Sequence, residues 1–136
     1  MATIKRFEEI EAWKVARDLF GQIYAATKNG AFAHDYGVKD QVQRAAVSIM
    51  SNIAEGFERG GNRDFANFLS IAKGSCGEVR AQLYVALDQN YVARDDFDRL
   101  VTLSNLVSAM FYHFIASLNR ASVAGIRFKK TPQVSD

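Results

Sequence analysis

Cysteine and proline are almost absent from this sequence. It contains one cysteine, Cys76, and one proline, Pro132, among 136 residues. A single cysteine excludes an internal disulfide and is typical of a reducing compartment, so we expect a cytoplasmic protein. Because proline interrupts helices, its absence from the first 131 residues leaves them free to form long, unbroken helices.

Long apolar runs and a marked excess of one charge are also missing. No run of 18 or more apolar residues occurs, so we expect no segment that spans a membrane. The opening residues, MATIKRFEEIEAW, lack the apolar stretch of a signal peptide, and we expect none. The 17 basic and 15 acidic residues give a formal net charge of +2. This charge is too small to indicate nucleic-acid binding by itself.

Patterns of catalytic and metal-binding residues are missing as well. Bundle metalloenzymes use Glu-x-x-His pairs on facing helices. The two histidines here, His34 and His113, have no glutamate three residues before them. The sequence contains no P-loop, no cysteine pair and no Ser-His-Asp constellation. We therefore predict a protein that is not an enzyme and has no cofactor or bound metal. His34 is interpreted as a loop residue, His113 as a surface residue and Cys76 as a core residue.

The pattern that is present is a helical repeat of apolar residues. Asn29-Gly30 and Gly60-Gly61 are typical helix ends, and Asn62 is a candidate N-cap for the helix that follows. Four helices are predicted, at about Glu8 to Lys28, Val38 to Arg59, Arg63 to Gln89 and Asp95 to Val123.

Helices of this length joined by short links predict an all-α protein, an antiparallel up-down-up-down four-helix bundle over residues 1–124. Residues 125–136 are expected to form a flexible basic tail. Arg120, Arg127, Lys129 and Lys130 carry four positive charges with no acidic residue until Asp136. Two interpretations stay open, an ordinary solvated tail and an arm that binds phosphates.

A row of polar residues follows one side of the second predicted helix. It can be interpreted as a solvated face. It can also be a partly buried hydrogen-bonded network, in which partners on other helices hold Arg44 and Glu55, because buried charges require pairing. Polar residues flanking the core stripe of the third helix are positioned to meet this row. The candidate network comprises Gln41, Arg44, Ser48, Asn52, Glu55, Ser75, Glu78 and Gln82.

Small residues occupy another side of the third predicted helix, at Ser70, Gly74, Gly77 and Ala81. Each glycine within a helix costs about 1 kcal/mol relative to alanine. Two glycines on one outer face favour close packing against a second subunit. The alternative is a pair of surface glycines that the helix tolerates.

Three stretches together resemble a known family. They are the spacing W-x2-A-x2-L at Trp13, Ala16 and Leu19, the string YGVKDQVQRAAVSIMSNIAEG, and FANFLSIAKGSCGEVRAQLYVAL. Over about residues 7 to 118, the chain resembles the bacterial four-helix-bundle proteins encoded in intervening sequences of 23S ribosomal RNA. It departs from the usual pattern at Met50, where the family has a proline, and at Ala31-Phe32-Ala33, where it has a Phe-Pro pair.

The resemblance implies a homopentamer of antiparallel four-helix bundles without known catalytic activity. It also implies similarity to the accessory variability determinant of diversity-generating retroelements, a more basic pentamer that binds reverse transcriptase and nucleic acid. The partners expected from it are further copies of the same chain and RNA or a nucleic-acid-binding protein.

Two functions remain in competition. The first is a non-enzymatic oligomeric adaptor associated with RNA or a ribonucleoprotein. The second is a purely protein-binding structural oligomer without affinity for nucleic acid, which the small net charge favours. The candidate nucleic-acid-binding residues are Arg59, Arg63, Lys73, Arg120, Arg127, Lys129 and Lys130.

Overall fold

Four long helices make up most of the protein in a computed structural model that describes residues 3–125. The predicted all-α four-helix bundle is thereby confirmed. Residues 126–136, most of the predicted tail, lie outside the described residues. The helices are α1 (Glu11–Thr27), α2 (Tyr36–Arg59), α3 (Asn62–Asp88) and α4 (Arg94–Ala124), with short 3-10 turns at Phe7–Glu9 and Gly30–His34.

Local hydrogen bonds account for the places where the helix bounds differ from prediction. Helix α2 begins at Tyr36 because the Asp35 side chain accepts a hydrogen bond from the Val38 amide at 3.2 Å and caps the first turn. The prediction that Asn62 is the N-cap of α3 is wrong. Gly61 is the N-cap, its carbonyl accepts from the Phe65 amide at 3.0 Å, and Asn62 is already the first helical residue.

Each helix packs against the next one in the chain, and α4 returns to pack against α1. At one end of the bundle, Gln43 Nε2 at the start of α2 donates to Thr27 Oγ1 at the end of α1 across 2.9 Å. Arg99 Nε near the start of α4 donates to Gln22 Oε1 of α1 across 2.8 Å. These contacts place successive helices antiparallel and close the four into a bundle.

The opposite end of the core is built from aromatic rings and one glycine. The ring of Phe65 lies edge-on to Phe57 and to Phe114, with centroids 5.9 and 5.1 Å away. A Cβ atom on Gly56 would lie only 2.5 Å from Cβ of Phe68. The close approach of α2 and α3 at this point therefore requires glycine.

Helix α4 is long and apolar enough, by length and composition alone, to cross a membrane. Its buried residues, among them Leu100, Val107 and Phe111, form part of the bundle core, and core helices of soluble proteins meet the same criterion. The solvent-exposed surface of α4 is also partly apolar, since Leu106 and Tyr112 are 50% and 63% exposed. Helix α4 thus carries more apolar surface than the bundle buries.

Cys76 is confirmed as a core residue. Its side chain is buried in α3, and burial raises the pKa of the thiol to about 12. The thiol is therefore protonated at neutral pH and is a poor nucleophile.

Candidate assembly and binding surfaces

The central part of the predicted polar network joins α2 to α3. Ser48 Oγ and Ser75 Oγ lie 2.9 Å apart, and Asn52 Nδ2 donates to Ser48 Oγ across 3.0 Å. One end of the row is joined separately, since Gln82 Nε2 donates to Gln41 Oε1 across 2.7 Å. These short side chains bridge the two closely packed helices and fix their register.

Of the two interpretations of the polar row, the one in which other helices hold Arg44 and Glu55 is wrong. Arg44 pairs with Asp40 at 2.9 Å and Glu55 pairs with Arg59 at 3.3 Å, each one turn away on α2 itself. The Arg44 and Glu55 side chains are 80% and 55% exposed, so solvation and a local partner remove any need for a partner on another helix. Glu78 is also exposed rather than part of the network. For these three residues, the solvated-face interpretation describes the structure.

The small residues of α3 lie on the outside of the bundle. Ser70, Gly74 and Ala81 are exposed and Gly77 is half-buried. No atom lies within 4 Å of the position that a Gly74 Cβ would take, apart from the helix's own nearby backbone. Nothing in the described part of this chain therefore requires glycine at this position, and the proposed subunit interface stays a prediction.

The predicted basic residues lie on the surface, some of them at one end of the bundle. The Arg59 guanidinium lies 4.9 Å from the centroid of the Phe68 ring and also pairs with Glu55. Arg63 and Arg120 are exposed at the ends of α3 and α4 that share this end of the bundle, and Lys73 is exposed further along α3. The remaining candidates, which lie outside the described residues, are Arg127, Lys129 and Lys130.

The formal charge of the bundle itself is balanced. Three of the 17 basic residues and one of the 15 acidic residues follow Gly125, so the preceding residues contain 14 of each. The entire formal excess of +2 therefore belongs to the last 11 residues.

Two interactions were not predicted from the sequence. The first lies between α3 and α4, where the fully buried Ser104 Oγ donates to the Cys76 carbonyl at 3.1 Å and accepts from Arg80 Nη1 at 3.2 Å. The only signal in the sequence was a serine beside the apolar stripe of α4. The contact holds the half-buried Arg80 in a fixed position.

The second ties together two connections at one end of the bundle. The Tyr91 hydroxyl donates to Asp35 Oδ2 at 2.7 Å, and its ring stacks on Phe32 with centroids 5.3 Å apart. The hydrogen bonds from Tyr91 and from the Val38 amide lower the pKa of the Asp35 carboxyl. The same hydrogen bond to Asp35 raises the pKa of Tyr91. Because 56 positions separate Asp35 and Tyr91, no local pattern could have paired them.

Within residues 3–125, no group of three His, Cys, Asp or Glu side chains is arranged to hold a metal ion. His113 is exposed beside Tyr112, and His34 is exposed at the end of a 3-10 turn. The described surface instead offers an outer face of small and apolar residues on α3 and basic side chains at one end.

These features define a small antiparallel helical-bundle protein with small and apolar residues exposed on its outer side. The family model of the 23S rRNA-intervening sequence protein matches residues 8–113, and the chain belongs to this family. A crystal structure of a protein with unknown function from the S23 ribosomal protein family of Bacteroides thetaiotaomicron VPI-5482 has a similar fold. Its TM-score is 0.70 at 20% sequence identity, over 76% of this chain and 97% of that chain.

No curated protein matches the chain. The two similarities confirm the family and the fold. Neither extends to the accessory variability determinant, so that relationship stays a prediction.

Proposed function

We propose that this protein is a non-enzymatic, homo-oligomeric adaptor that associates with RNA or a ribonucleoprotein. The observation that carries the proposal is the outer face of α3. Its small residues form a band along the helix, accompanied by Ile71 and Tyr84, which are 53% and 56% exposed. Small and apolar residues exposed together on one side of a helix favour a protein contact there. A pentamer, which the family resemblance implies, would cover the band on every copy.

The association with RNA is supported by the position of the basic residues. The formal excess of positive charge belongs to residues 126–136, which follow α4 in the sequence. Helix α4 itself ends at the end of the bundle that carries Arg59, Arg63 and Arg120. A few phosphate contacts by one copy would be weak. An oligomer presents several copies at once, and their simultaneous binding strengthens the association by avidity.

The assembly is tested by replacing Gly74 with leucine, which would place a large side chain in the proposed interface. We expect the mass of Gly74→Leu measured by light scattering to fall to that of a smaller species, with unchanged helix content by circular dichroism. Gly21→Leu is the matched control, because Gly21 is also an exposed helical glycine with open space around it. An unchanged mass for Gly74→Leu would refute the α3 interface.

The association with RNA is tested by binding a labelled structured RNA at low and at moderate salt. The chain ending at Gly125 is measured in parallel. We expect binding that weakens with salt, as phosphate contacts do, and that weakens further in the shortened chain. Equal binding by the two chains would contradict the role of the last residues.

A second candidate function is a protein-binding structural oligomer without affinity for nucleic acid. The balanced charge of the residues up to Gly125, 14 basic and 14 acidic, favours it. Absence of RNA binding by the full chain even at low salt would establish this alternative over the first.

A further inference from the structure

The charged side chains of α3 differ from those of the other long helices in their ionic pairing. Helices α1, α2 and α4 each pair opposite charges three or four residues apart along themselves. Lys73 and Glu78 of α3 are both exposed, and neither forms an ion pair within residues 3–125. The residues three and four positions from each of them carry no opposite charge. Any ionic partner of theirs must therefore be sought outside the described part of this chain.

The exposed face of α3 has the spacing of a coiled-coil seam. Its central residues recur at alternating steps of three and four positions, as the a and d positions of a heptad do. The first of them is polar, the middle four are small and the last is aromatic. In order, they are Asn67, Ser70, Gly74, Gly77, Ala81 and Tyr84.

The same heptad assigns the charged residues to opposite edges of this seam. Lys73 and Arg80 fall at g positions, on the edge next to α4, where Arg80 donates to Ser104. Glu78 falls at an e position on the other edge, between the exposed Ile71 and Val85. One edge is therefore basic, and the other is acidic and apolar.

The arrangement of these edges discriminates between two ways of packing α3 against α3. In a parallel pair, a g residue faces the e residue five positions further along the other helix, so Lys73 faces Glu78 of the second copy. In an antiparallel pair, g faces g, and Lys73 and Arg80 would meet the same cations of the other copy. The charges therefore favour parallel packing and oppose antiparallel packing.

We propose that α3 is the contact helix between copies of this chain, packed parallel to α3 of the next copy, with Lys73 paired to its Glu78. This inference rests on the proposed assembly through α3 and adds its orientation and its ionic partners. Parallel helices related by rotation about an axis along their length can repeat around a closed ring. The orientation is thus compatible with the pentamer that the family resemblance implies.

Charge reversal tests the pairing. Lys73→Glu would place two carboxylates opposite each other, and we expect assembly at low salt to weaken by roughly fivefold per contact, since one exposed pair contributes up to about 1 kcal/mol. Glu78→Lys should weaken it similarly. The double variant Lys73→Glu/Glu78→Lys should restore wild-type assembly, measured as the concentration of half-dissociation by sedimentation. Failure of the double variant to recover would overturn the pairing, as would stronger assembly of Lys73→Glu alone.

Cysteine cross-linking tests the orientation independently. In a parallel pair, position 81 of one copy faces position 81 of the next, whereas in an antiparallel pair it faces a position near the other end of the seam. Ala81→Cys should form disulfide-linked dimers under mild oxidation on a non-reducing gel. Gly21→Cys on α1 is the control and should not, while the native Cys76 is buried. Absence of the cross-link in an intact oligomer would overturn parallel packing.

The outcomes separate this inference from the proposed function. If Gly74→Leu leaves the oligomer mass unchanged, the α3 interface itself is wrong. If Gly74→Leu reduces the mass but the reversed charges have no effect and Ala81→Cys does not cross-link, only the parallel orientation is wrong.

Discussion

At the scale of single residues, Gly56 marks the tightest point between α2 and α3. The added methyl group of Gly56→Ala would lie 2.5 Å from Phe68 Cβ and 3.2 Å from Phe65 Cδ1. Phe68 Cβ is attached directly to the backbone and cannot rotate away, so the helices must separate. We expect the free energy of unfolding to fall by about 1–3 kcal/mol, as overpacked cores show, measured by urea denaturation.

The control for this prediction is Gly21→Ala on α1. No atom lies within 4 Å of the corresponding Cβ position, leaving out the helix's own nearby backbone. There the same substitution should stabilise the protein by about 0.5–1 kcal/mol, because alanine restricts the unfolded chain and favours the helix. Equal effects at the two positions would contradict the steric argument.

The hydrogen bond between Tyr91 and Asp35 should make stability depend on pH at the acidic end. Because the Asp35 pKa is lowered from its ordinary 3.8 in the folded protein, its contribution is fully present above that value. It is lost as the pH falls through the folded pKa. We expect Tyr91→Phe to lower the melting temperature at neutral pH and to show a smaller deficit in strong acid. A deficit that stays constant with pH would contradict this. Tyr112→Phe is a control at an exposed tyrosine.

At the scale of elements, the polar row on α2 shows how much of the contact between α2 and α3 could be predicted from the sequence. The spacing placed Ser75 and Gln82 of α3 where they could meet this row without assigning their partners. In the structure Ser75 meets Ser48 and Gln82 meets Gln41, because polar side chains beside a core stripe can reach across two closely packed helices. The same spacing also assigned Glu55 to the candidate network between the two helices. In the structure its long side chain pairs with Arg59 on its own helix. An acid and a base four residues apart are a visible sign of a solvated pair.

The contact between α3 and α4 could not be predicted in this way, because it depends on the relative rotation of two helices. Ser104 lies where the apolar stripe of α4 faces the Cys76 carbonyl, and periodicity alone does not distinguish such a serine from a surface one.

The helix bounds, in contrast, were predicted to within a few residues, since Gly60 ends α2 with a positive φ of 88° and glycine favours that conformation.

Removal of the Ser104 hydroxyl should loosen α4 from α3. Ser104→Ala deletes a buried donor to the Cys76 carbonyl and leaves the Arg80 guanidinium without that acceptor. We expect a loss of about 1–2 kcal/mol in the free energy of unfolding. Glu55→Ala is the comparison and should cost less than about 0.5 kcal/mol, because it breaks only an exposed pair within one helix. A larger loss for Glu55→Ala than for Ser104→Ala would reverse this assignment of buried and solvated contacts.

At the scale of the whole molecule, the fold follows from the sequence more directly than the function does. Four apolar stripes require burial against one another, and short connections permit the antiparallel arrangement. The outer faces differ from the core stripes, because in a single chain they stay exposed to solvent and no other helix of the described part of the chain packs against them. Exposed Tyr84 on α3 and Leu106 on α4 are compatible with partners of different kinds, so the fold does not specify the function.

The proposed assembly and the proposed RNA association make a joint prediction. Arg127, Lys129 and Lys130 supply three cations per copy. Released counterions from these three cations would then give a slope of log affinity against log salt of about −2 to −3 for one copy and about −10 to −14 for a pentamer, from the coefficients for single strands and for duplexes. Gly74→Leu retains these cations but loses the oligomer, so we expect its affinity to fall and its slope to become several-fold shallower. Equal slopes for wild type and a monomeric Gly74→Leu would mean that the copies bind RNA independently, and avidity would have no part in the function.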